Sequence, residues 1–179
     1  MFPYYRLEMR GGHVRIRLLI TSDDESNGVR RSHRAIGAFL MTFVSLTRLR
    51  IRSIWYLPLF AIYAVRSVRQ VKKEAGFQCG ALLNDRDWTF WTMTAWDGLE
   101  SMRRFMTTGA HKSAMPHLMH WCDEASVAHW EQEERALPSW EEADRRMREG
   151  GRASKVKYPS AGHAGLNYRK PRPSGGSSI

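Results

Sequence analysis

Residues 77–105, FQCGALLNDRDWTFWTMTAWDGLESMRRF, decide the fold. Phe77 to Leu83 and Thr89 to Trp96 carry the apolar and aromatic residues of strands, and Asn84-Asp85-Arg86-Asp87 between them is a turn-rich connection of hairpin length. The pair predicts a β-hairpin. Asp97 then stands where a helix N-cap belongs, and Glu100 three residues on completes a capping box, so a helix is predicted over 98–107.

Moving toward the N-terminus, Phe39 to Ile51 reads as a strand. From Leu46 on, Arg48, Arg50 and Arg52 alternate with Leu49 and Ile51, which gives its far end one wet face. Trp55 to Glu74 predicts a long helix, apolar in its first half and basic in its second, with Pro58 in the first turn and Gly76 as the stop. Toward the C-terminus, Gly109 breaks the helix that follows the hairpin. A short helix over 111–122 is predicted with Pro116 near its start, because proline disfavours helical geometry in the residue before it. Asp123 to Glu133 is the last strand candidate, with Val127, His129 and Glu131 facing one way and Ala128 and Trp130 the other.

The resulting order, βαββαβ, is ferredoxin-like, and it predicts one α+β domain over residues 35–133. Residues 134–150 add a charged helix, capped by Ser139 and Glu142 behind Pro138. Residues 1–34 read as a disordered or poorly packed leader, and 151–179, with Pro, Gly, Ser and basic residues, as a disordered basic tail. A four-stranded sheet with both helices on one side leaves its other face bare. If Trp91 and Met93 lie there, a second copy of the chain is the expected cover, hence a homodimer.

Charge belongs mostly to the ends. Of 28 Lys and Arg, 7 precede Ala35 against 4 acids and 6 follow Gly150 with none, while the core holds 15 bases and 14 acids. Basic ends bind polyanions without reading sequence, so no specific nucleic-acid partner is predicted. Two cysteines, Cys79 and Cys122, cannot cage a metal and fit reduced, buried thiols in a cytoplasmic protein. Neither apolar half of residues 35–65 reaches the roughly twenty residues that span a bilayer. The 54–65 run followed by basic residues 66–73 is a helix buried against the sheet or one that makes weak contact with a membrane surface.

For chemistry, His111 at a helix entry is the first candidate acid, base or axial ligand, and the alternative is a histidine that packs there. His129 is the second candidate. His117 and His120 share a helix face but lack a third ligand, so no metal site is predicted. Trp91, Trp96, Phe105, Trp121 and Trp130 line a pocket for a small hydrophobic or aromatic ligand, or else fill core and interface. No nucleophile elbow, phosphate-cradling loop or nucleotide fingerprint is present.

TRLRIRS at 47–53, FWTMTAW at 90–96, DGLESMRRF at 97–105 and GAH at 109–111 together resemble the antibiotic-biosynthesis-monooxygenase-like group of dimeric α+β barrels. Within it the flavour is that of small bacterial proteins distantly similar to spheroidene monooxygenase. The resemblance implies a homodimeric barrel and monooxygenase-like oxidation of an aromatic or polyene-like molecule, either free of cofactor or assisted by haem. Its haem-degrading branch places a ligand histidine where His111 stands, but Ser101 occupies the position of that branch's tryptophan. The alternative is a non-catalytic small-molecule-binding or structural dimer.

Overall fold

The computed structural model describes the backbone of residues 5–10 and 13–18 and, in full, residues 41–179. The chain divides into two units, Met1–Gly37 and Ala38–Ile179. In the first, strands β1 (Tyr5–Arg10) and β2 (His13–Leu18) pair antiparallel, with Leu7 opposite Ile16. The rest of the predicted leader lies outside the described residues.

The second unit runs β3 (Thr42–Ile51), α1 (Leu57–Val71), β4 (Phe77–Asp85), β5 (Thr89–Trp96), α2 (Leu99–Thr107), α3 (Gly109–Trp121), β6 (Cys122–Gln132), α4 (Trp140–Gly150), β7 (Arg152–Ala153) and β8 (Gly176–Ser178). A single 3-10 turn, Ile54–Tyr56, leads into α1. All pairings are antiparallel, and the sheet order is β7-β6-β3-β5-β4-β8. The four inner strands therefore stand in the ferredoxin-like order, and the unit is α+β as predicted.

Strand alternation divides the core into two layers. Val44, Leu46, Trp91, Met93 and Ala128 point to one face, where Ala143 and Met147 of α4 and Tyr168 cover them. On the other face Phe43 and Trp96 meet Val71, Met102 and Phe105, while Ile51, Cys122 and Ala125 meet Leu57, Phe60 and Trp121. Trp91 and Trp96 are fully buried, and each such side chain contributes about 1.5–3 kcal/mol.

Five features depart from the sequence reading. The turn between β4 and β5 lies later, at 86–88, with Thr89 N–H donating to the Arg86 carbonyl at 3.1 Å. Asp97 does not cap α2: Gly98 holds that position with no side-chain cap, and Asp97 Oδ1 instead lies over Gly76, where a Cβ would sit only 2.3 Å from it. Pro116 falls inside α3 rather than near its start, because that helix begins at Gly109. Gly109 can begin it because its φ of +55° suits glycine, and the Gln70 side chain fills the space a Cβ would need.

The tail composition predicts disorder, yet residues 151–179 form an extended strap. It pairs as β7 with β6 at one sheet edge, crosses the α4 face through Tyr168, and pairs as β8 with β4 at the other edge. Backbone hydrogen bonds at the edges and one partly buried aromatic ring order it where few aliphatic residues are present. The face from which a second copy was inferred is thus occupied by α4 and the strap, so bare sheet no longer argues for a homodimer.

Candidate functional site

The elements over the α4 face converge on a cleft. Arg48 points there because its register with Trp91 puts both on the Val44–Leu46 side of β3. Glu124 arrives from the start of β6, Asp85, Arg86, Asp87 and Thr89 from the hairpin turn, Arg148 from α4, and Asn167, Tyr168 and Arg169 from the strap. With Arg50 these residues enclose about 590 Å³. Five arginines and three carboxylates line the space; Asp123 and Asp144 outside it pair with Arg50 and Arg148, which leaves the positive charge of Arg169 without an ion pair among the described residues.

An ion-pair seam forms its floor. Arg48 Nη1 donates to Glu124 Oε2 at 2.7 Å with both side chains buried, and Arg50 Nη1 lies 2.9 Å from Glu124 Oε1. Arg50 also makes a bidentate pair with Asp123, 2.8 Å at each contact, and those hydrogen bonds raise its already high pKa. Ser160 Oγ donates to Glu124 Oε1 at 2.8 Å, which ties the strap to the same carboxylate. The face predicted to be wet is therefore dry at Arg48, because two acids on β6 and the strap's hydroxyl and ring replace water.

The Arg48 guanidinium carbon lies 4.2 Å from the Tyr168 ring centroid and 5.7 Å from that of Trp91. Its buried Nε has no protein partner, nor does the Tyr168 hydroxyl. Burial, and then the charge of Asp144, push the Tyr168 phenol well above its ordinary range, so it stays protonated. At the rim the hairpin turn is strained: Asp87 and Trp88 have φ of 56° and 53°, left-handed conformations that strongly disfavour a bulky residue such as Trp88.

The residues singled out in the sequence are distributed elsewhere. Trp91 and Trp130 lie on the α4 face; Trp91 meets Tyr168, while Trp130 donates from Nε1 to Gln132 and sits under Arg146. Trp96 and Phe105 pack together on the opposite face, centroids 5.4 Å apart. Trp121 stacks with His117 and Tyr56 between α1 and α3. These five aromatics belong to three separate clusters, and of them only Trp91 approaches the cleft through contacts to its lining residues.

His111 rests on Phe105 with centroids 4.6 Å apart, and its Nδ1–H donates to the Met106 carbonyl at 3.3 Å. His129 lies against Phe43. Burial lowers the pKa of both, with the charge of Arg152 adding to the effect at His129. Neither lines the cleft. No cluster of three or more His, Cys, Asp or Glu suited to a metal occurs among the described residues.

Sequence reasoning missed Tyr168, Arg86, Arg148 and Arg169. A signal was present in β3, where alternating arginines inside a sheet strand require acids on a neighbouring strand, and Asp123-Glu124 were the available pair.

No family model matches the chain, and no curated protein matches it. Several solved structures are similar to the chain at low identity. A conserved protein from Methanosarcina mazei is 12% identical over 51% of this chain and 93% of its own, with a TM-score of 0.46. A protein of unknown function from Nitrosomonas europaea is 13% identical over 56% and 98%, with a TM-score of 0.47. SnoaB, a cofactor-independent oxygenase from Streptomyces nogalater, is 15% identical over 54% and 95%, with a TM-score of 0.42. Likeness of this degree says nothing about chemistry.

Proposed function

We propose that the chain binds a small anionic molecule, bearing a carboxylate or phosphate, in the cleft between the hairpin turn, β3 and the strap. The observation that supports this reading is the excess of arginines around a cavity of about 590 Å³. A carboxylate or phosphate is the complement of guanidinium donors. Arg50 is consumed by its acids and Arg148 by Asp144, and Arg86 keeps its buried Nε 3.7 Å from Asp85 Oδ1 and gives Nη2 to the Lys170 carbonyl, whereas Arg169 is exposed and has no ion pair among the described residues. Arg169 is therefore the first donor to greet a ligand, with Arg86 lining the cavity beside it; Arg48 and Glu124 hold the floor. The ligand class moves accordingly from the apolar one predicted from sequence to an anionic one.

Titration calorimetry with inorganic phosphate and with an aromatic carboxylate such as salicylate tests this. Saturable binding of either probe, weakened by about tenfold or more in Arg86→Ala or Arg169→Ala, is the expected result, since a charge-assisted hydrogen bond contributes about 1.5–3 kcal/mol. No binding of either probe by the wild-type protein overturns the reading.

A second reading keeps the oxidation implied by the resemblance, with a homodimer holding an aromatic or polyene-like substrate and His111 as base. One observation favours it: the Met106 carbonyl accepts a hydrogen bond from the Nδ1–H of a histidine whose burial keeps it neutral, which leaves an Nε2 lone pair able to accept a proton. Oxygen uptake with a dihydroxynaphthalene, lost in His111→Ala, is the expected sign. Uptake equal in both proteins removes it.

A further inference from the structure

Helix α1 and the turn before it have two unlike sides. Leu57, Phe60 and Tyr63 face the sheet and α3, and Val71 is buried in the second cluster. Along the opposite stripe, Trp55 is 84% exposed and Leu59, Ile62 and Val65 are each half-exposed. Spacings of three and four residues line these side chains up on one surface. Arg66, Arg69, Lys72 and Lys73 extend the stripe, all exposed and without an ion pair to any described residue. Glu74, the first acid after them, is held by Gln70 Nε2 at 2.9 Å.

The charge pattern selects the occupant. A second copy on a two-fold axis fits poorly: parallel overlay sets the four cations against their equals, and antiparallel overlay lays each apolar half on a cationic half. A surface that is apolar just below a layer of negative charge satisfies both halves at once. No described helix is long and apolar enough to cross a membrane, and a stripe parallel to the helix axis suits a helix lying in the interface. We propose that the outward face of α1, from Trp55 to Lys73, docks on an anionic lipid bilayer. Trp55, Leu59, Ile62 and Val65 enter the headgroup–acyl boundary, and the four cations meet lipid phosphates. This surface is independent of the arginine-lined cleft.

Flotation of the full chain with phosphatidylcholine vesicles, with and without phosphatidylglycerol, is the test. The protein floats only with the anionic lipid at 0.1 M salt and is released at 1 M, where the screening length falls from about 10 Å to about 3 Å. The double variants Leu59→Ser/Ile62→Ser and Arg69→Glu/Lys72→Glu each lower the partition coefficient more than about tenfold. An unchanged thermal midpoint shows that they remain folded. Three results overturn the proposal: no flotation, flotation equal in both variants, or a wild-type dimer that Leu59→Ser/Ile62→Ser converts to monomer, which assigns the stripe to a second copy.

Discussion

The two faces of the sheet are finished by different means. On the helical face, Phe43, Trp96, Met102 and Phe105 exclude water mainly by apolar packing, and the outer side of α1 leaves further apolar groups exposed. On the strap face, Trp91, Met93 and Met147 pack beside a seam of buried charge joining Arg48, Glu124 and Ser160. Apolar packing tolerates change in proportion to the volume removed. A buried ion pair fails as a unit, because losing one partner strands the other in a poor solvent. The strap face should therefore be the more brittle of the two.

Arg48→Met gives the largest expected effect. Glu124 keeps Arg50 and Ser160, so the loss lies at the low end of the range for a broken buried pair, about 3 kcal/mol by urea denaturation. Tyr168→Ala removes the ring that covers Trp91 and Arg48, and about 2 kcal/mol is expected, with hydrogen exchange of strap amides accelerating before that of β3. Equal loss of protection in both segments would erase the distinction between the faces.

Acid sharpens the comparison from the other side. His111 and His129 lie on the helical face with pKa values below their ordinary 6.5, so the unfolded chain binds protons first as pH falls. Their contribution is complete above pH 6.5 and is lost below it, toward their folded pKa values. Amides of α2 and α3 should then lose protection ahead of those in the strap, as measured by exchange across that range.

Smaller effects bound the contrast. Trp88→Gly relieves a left-handed backbone at an exposed turn and should stabilise by about 0.5–1 kcal/mol in thermal melts. Leu59→Ser on the outer stripe of α1 should change stability by no more than about 0.5 kcal/mol. A larger loss would mean that the stripe is packed rather than exposed.

The inner strands and helices were legible because each carried its own period and punctuation. Ser139 accepts from Glu142 N–H as its capping box predicts, and His129 and Trp130 take opposite faces of β6. What escaped was encoded between distant residues. Nothing local marks Tyr168 as the cover for Trp91, because its neighbours Asn167, Arg169 and Lys170 have the composition of a solvated coil. The alternating arginines of β3 looked wet for the same reason: their acids lie more than seventy residues away on β6. A capping box also proved insufficient at α2, where Gly98 rather than Asp97 holds the N-cap position and no side chain caps it.

The strap supplies the outermost strand at both sheet edges, through Ser126–Ala153 on one side and Leu82–Ser177 on the other. A chain made from its N-terminus has β3 to β6 outside the ribosome before either cover exists. Until residues 152–178 emerge, β4 and β6 offer unpaired backbone to any neighbouring nascent chain. These late-emerging edge strands thus end the period of exposure to aggregation, and slow translation through them would prolong that period.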